Sequence, residues 1–162
     1  MQRHEFIKSS LLAFAGGALL SHKSFSQALF TKEEDRFLIG AAEGYSPNIG
    51  TLVSMLNYMR LDVLEAVKKL TQADLDFLLD AKANTIGALL LHLASADSYY
   101  YVSTLENRQF NEEENKKWGI PLELGDKGRE AIKGHDLNYY TAILKETREK
   151  PLQNLRNGMT NG

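Results

Sequence analysis

From Pro47 onward apolar residues return every three or four positions, the spacing of helices that each cover one side of a core. Ile49, Leu52, Val53, Leu56, Val63, Val67 and Leu70 share one face, with Arg60, Asp62, Lys68 and Lys69 mostly elsewhere. Ser46 supplies an N-cap, and Pro47 stands at the first helical position, where its missing N–H costs nothing. These signals predict a first long helix over residues 47–70. Thr71-Gln72-Ala73-Asp74 is a capping-box start for a short helix to about Leu79, with Asp in place of the usual Glu or Gln. Asn84 or Thr85 then caps a second long helix to about Glu106, with Ile86, Leu89, Leu90, Leu93, Ala96 and Tyr100 on its core face.

The middle is less regular. Asn111 heads a short acidic turn through Glu112, Glu113 and Glu114, a composition that suits the positive end of a helix. Trp118-Gly119-Ile120-Pro121 is expected to break it, and Asp126–Lys133 to form another short helix. A last long helix starts near His135 or Asp136 and carries Leu137, Tyr140, Ile143, Leu144 and Leu152, with Pro151 expected to interrupt it. No stretch alternates with period two. The expected fold is therefore all-α, an up-down bundle of three long helices and several short ones, where bundles of this kind more often have four.

The first residues change the picture. Arg3 and Lys8 precede the small apolar run Leu11–Leu20, and Ser26-Gln27-Ala28 follows with small side chains, the order of an export signal peptide over residues 1–28. Arg3-His4-Glu5-Phe6-Ile7-Lys8 is similar to a twin-arginine leader in which His4 replaces the second arginine. The apolar run is too short and glycine-rich for a membrane span, so an exported, periplasmic or extracellular protein that is not embedded in a membrane is expected. Residues 29–45 read as a lead-in, 46–156 as the bundle and 157–162 as an irregular tail.

Without Arg3, Glu5, Lys8 and Lys23 the formal net charge moves from −2 to −4, which argues against a nucleic-acid partner. The chain has no cysteine, so thiolate chemistry and disulfides are excluded.

His92 is the candidate for chemistry. It is the only polar residue in Ile86–Ala94, with Ala88 and Ala96 one turn away on either side. A stranded buried imidazole costs roughly 1–3 kcal/mol, so the ring is expected either to be hydrogen-bonded in the core or to ligate a metal. Asp97, five residues on, is turned away from it. His135 beside Asp136 has the makings of a general base, but the pair reads more simply as a helix N-terminus. Tyr99-Tyr100-Tyr101 reads as core packing rather than a ligand platform.

Thr51–Arg60, Leu70–Leu75 and, most diagnostically, Asn84–Ala94 resemble the DinB-like four-helix metalloproteins, over roughly Gly44–Arg156. The leader and the Gly44-Tyr45-Ser46-Pro47 entry are similar to secreted members from Bacteroidetes-type bacteria. The resemblance implies a divalent metal, zinc or nickel, with His92 as one of three histidine ligands. It implies metal-dependent transfer to a low-molecular-weight thiol, thiol-dependent isomerisation or hydrolysis, with an unknown small-molecule substrate. The family's other two ligands form a His-x-x-x-His pair on the last helix, and that pair is absent from these 162 residues. The departure implies either a truncated chain that lacks the last helix or one that has lost the metal. The alternative is a non-catalytic exported bundle that acts as a binding or interaction domain, with a homodimer supplying the missing layer.

Overall fold

A computed structural model describes residues 38–157. The expected leader, most of the lead-in and the tail after Asn157 lie outside the described residues. Within them the protein is an all-helical bundle: α1 (Pro47–Val67), α2 (Gln72–Leu75), α3 (Ile86–Tyr100), α4 (Glu112–Glu123), α5 (Gly125–Ala131) and α6 (Leu137–Asn157). A π-helical turn, Tyr101–Leu105, continues α3.

The caps are those the sequence offers. Thr71 and Asp74 exchange side chain and backbone across the first turn of α2, and Asn111 and Glu114 do the same at α4. Thr85, not Asn84, caps α3 by accepting from the Ala88 N–H at 3.0 Å. Asp136 Oδ1 accepts from the Tyr139 N–H at 2.9 Å, so Asp136 serves the first turn of α6.

Four boundaries differ from expectation, the first being that of α1, which ends at Val67 rather than Leu70. α2 stops at Leu75, because Asp76 turns to accept the Gly134 N–H at 2.9 Å, and Phe77, Leu78 and Leu79 are left exposed. α4 runs through Trp118–Pro121 instead of breaking there. Pro121 removes one backbone donor, but its ring is buried and the helix ends three residues later, where Leu124 takes a positive φ. α6 likewise passes through Pro151.

α3 is the central element, packed chiefly against α6 and α4. The core gathers Leu75, Leu90, Leu91, Trp118, Tyr140 and Leu144. α1 differs from its expected orientation. Val53 and Val67 face inward, but so do Gly50, Ser54, Asn57 and Arg60. Leu52, Met55, Leu56 and Met59 face outward, each at least 44% exposed. The inward face is selected by close approach and ionic contact. A Cβ on Gly50 would stand 2.6 Å from the Ala42 backbone nitrogen, and Ser54 Oγ donates to the Leu38 carbonyl at 3.0 Å. α3 carries a matching open stripe, Ile86, Leu89, Leu93 and Tyr100, the first three of which were expected in the core with the fourth. At about 100° per residue that stripe lies between His92 on one edge and Asp97 on the other.

Candidate functional site

His92 is half-buried at the edge of α3 that faces α4, and its Nδ1 lies 3.0 Å from the Pro121 carbonyl oxygen. A carbonyl only accepts, so the proton sits on Nδ1 and the ring's lone pair on Nε2. The bond also satisfies one of the carbonyls that the end of α4 leaves without an intrahelical donor. This is the contact of a core histidine, and it is equally the orienting contact that metal-ligating histidines make through their second nitrogen.

Among the described residues no three His, Cys, Asp or Glu side chains come together so as to hold an ion. A stable zinc site needs three or four ligands, so the residues present do not fit one by themselves. His135 is occupied elsewhere: its ring stacks on Tyr139 at 3.8 Å between centroids and meets Tyr140 edge-on. Asp136 is bound to backbone as a cap, which removes it as a partner for a general base.

Asp97 is turned from His92, as expected, and its partners are residues that sequence reasoning missed. Arg60 of α1 reaches Asp97 Oδ2 at 2.6 Å. Arg148 of α6 holds the same carboxylate through two bonds, Nε to Oδ2 at 3.0 Å and Nη2 to Oδ1 at 2.8 Å. Both guanidinium groups are more than nine-tenths buried, and burial lowers the Arg60 pKa more than the Asp97 charge raises it. Arg60 Nη1, Arg148 Nη1 and Asn57 Oδ1 are buried without hydrogen-bond partners. The signal for Arg60 was its spacing. It lies seven residues after Val53 and three after Asn57, on the inward face of α1.

A second buried polar point lies where α3 and α6 begin. Tyr140 is fully buried, its hydroxyl has no hydrogen-bond partner, and desolvation, with the Asp76 and Tyr139 charges behind it, pushes its pKa up to about 12. A Cβ on Gly87 would stand 2.6 Å from that hydroxyl, so this glycine is what lets the Tyr140 ring lie against α3.

Between α3, α4 and α6 is a cleft of about 250 Å³, walled by Tyr101, Phe110, Trp118, Lys117, Lys150 and Glu146 among others. Its cations are already engaged: Lys117 lies 3.7 Å from Glu146 and over the Trp118 ring, and Lys150 lies 3.3 Å from Glu106 and over Tyr101. Of Tyr99-Tyr100-Tyr101, expected as core packing, Tyr101 is buried and Tyr100 is exposed.

Among the described residues no helix is long and apolar enough to cross a membrane. The chain matches no family model and no curated protein.

Proposed function

We propose that this bundle is an interaction domain whose working surface is the open side of α1 and α3. The observation that carries this reading is the pair of outward stripes, Leu52-Met55-Leu56-Met59 on α1 and Ile86-Leu89-Leu93-Tyr100 on α3. Each has the spacing of a helix face that expects a neighbour. Arg60 and Asp97 join the two helices, and at about 100° per residue each stripe borders its own helix's member of that ion pair. Patches of more than a few hundred Å² on a soluble domain mark association sites. The test is binding of a hydrophobic dye to the folded chain, with Leu56→Glu and Leu89→Glu each expected to cut the signal severalfold. Unchanged dye binding in both variants would remove this surface from the account.

A second reading is kept because of the His92 lone pair. The bundle is then a DinB-like metalloprotein, exported by its leader, in which His92 Nε2 is one ligand of zinc or nickel and the other donors come from another segment. The metal would supply Lewis-acid chemistry toward a small-molecule substrate, such as a low-molecular-weight thiol, in a transferase or hydrolase reaction. Elemental analysis of wild type and His92→Ala separates the readings. Stoichiometric metal lost with the side chain would support the metalloprotein, and metal-free wild type would leave His92 as a hydrogen-bonded core residue.

A further inference from the structure

We infer that the occupant of the open face is a second copy of this chain, seated through an antiparallel α1–α1 contact about a two-fold axis between Met55 and Leu56. The inference rests on the open-face reading above and adds the partner and its register.

The stripe on α1 is self-complementary. Leu52, Met55, Leu56 and Met59 are spaced i, i+3, i+4 and i+7, the seam spacing of paired helices. A two-fold axis at the midpoint sets Leu52 of one copy against Met59 of the other, and Met55 against Leu56. Each long side chain then meets another of similar volume, as an isologous interface requires.

Charge favours the same pairing. Pro47–Met59 contains no charged residue, and Arg60, the first, turns inward to Asp97. Two such helices meet without like-charge repulsion. In this register Asp62, which borders the stripe, falls beside Ile49 of the other copy, in the first turn of its α1. That turn carries no acidic residue of its own, so the partial positive charge of the helix start is open to a carboxylate from outside.

The available area fits a dimer. The eight side chains of the two stripes, 37–64% exposed, offer on the order of 600–800 Å². A standard interface takes roughly 800 Å² from each partner. The α1 stripe alone is too small, so α1 of each copy must also reach the α3 stripe of the other. The product is a four-helix layer of two α1 and two α3.

Sedimentation of the full chain over a concentration series tests this. Twice the 18.2 kDa chain mass is expected, falling to 18.2 kDa in Leu56→Glu and in Met59→Lys, with helical circular dichroism kept by at least one of them. Register is read in this cysteine-free chain by oxidising an equimolar mixture of Leu52→Cys and Met59→Cys. The mixed disulfide should exceed either homodisulfide severalfold. Predominant homodisulfides would overturn the antiparallel register. A monomer at every concentration would overturn the second copy as occupant. If Met59→Cys in that monomer reacts rapidly with a thiol reagent, the open face itself stands; if it is protected, both readings fall.

Discussion

α1 and α6 are both 21 residues long and both amphipathic, yet they dispose of their apolar residues in opposite ways. α6 lies against α3 with Tyr140 and Leu144 fully buried and turns Lys145, Glu146 and Glu149 to solvent. α1 turns Gly50, Ser54, Asn57 and Arg60 inward beside Val53, Leu61 and Val67, and leaves Leu52, Met55, Leu56 and Met59 outside. The difference is one of neighbours. α6 has an apolar wall on its apolar side. Of its apolar side chains α1 buries only Val53, Leu61 and Val67, and it is held as well by backbone approach at Gly50, by Ser54 and by the Arg60–Asp97 pair. A helix period states that a stripe exists; what packs beside the helix decides which side goes in.

The largest effect should come from breaking the ionic attachment of α1. Asp97→Ala strands two buried guanidinium groups, and removing one partner from such a cluster costs about 3–5 kcal/mol. Denaturant unfolding should show that loss, and hydrogen exchange should show α1 amides exposed before those of α6. Replacing all three groups together, as Arg60→Met, Asp97→Leu and Arg148→Met, should recover most of the stability, since an apolar substitute often matches a buried ion cluster.

Leu144→Ala should cost about 2–5 kcal/mol as a core truncation. Leu56→Ala, measured in dilute protein, should stay within about 0.5 kcal/mol as a surface change. Equal losses at the two sites would mean that α1 is not oriented as described.

Gly87→Ala should destabilise by about 1–3 kcal/mol through overpacking against Tyr140. Tyr140→Phe alone should be close to neutral, because the hydroxyl it removes has no partner. Combined with Gly87→Ala it should relieve part of the cost but not all, since the ring carbon Cζ would still lie 2.8 Å from the added methyl.

The smallest effect lies at the surface. Arg108 bonds both Glu114 carboxylate oxygens, and with the Asn111 N–H it holds that carboxyl at about 2 against an ordinary 4.5. A depressed carboxylate contributes its stabilisation fully above about pH 4.5 and loses it as pH falls toward 2. Glu114→Gln should flatten thermal stability in that window, lowering it slightly at neutral pH and leaving it nearly unchanged near pH 2. An NMR titration of Glu114 with a midpoint near 4.5 would count against the bidentate pair.

Much of the architecture was legible in the sequence because its signals are local. Capping residues at Thr71, Thr85 and Asn111 mark helix starts through bonds made within one turn, and the all-α class followed from spacing alone. The ends were harder: Pro121 and Pro151 read as breaks, yet each sits in a helix whose packing outweighs one lost donor. The charged cluster was hidden because Arg60, Asp97 and Arg148 come from three helices. Only the assembled bundle shows that the inward side of α1 carries Ser54, Asn57 and Arg60. The part played by His92 was half legible. Its isolation in an apolar run identified it, but the Pro121 carbonyl that accepts its hydrogen bond lies 29 residues away at the end of another helix.

The most direct test of the account uses the absence of cysteine, which makes any introduced thiol unique. Met59→Cys and Val53→Cys should be labelled with a small thiol reagent at high dilution under native conditions. Cys at position 59, where the native side chain is 59% exposed, is expected to react at nearly the rate of an unfolded peptide. At position 53, where exposure is 2%, the rate should be lower by orders of magnitude. Slow labelling at 59 with fast labelling at 53 would show α1 rotated the other way, its leucines and methionines inward, and would contradict the open face on which the functional reading depends.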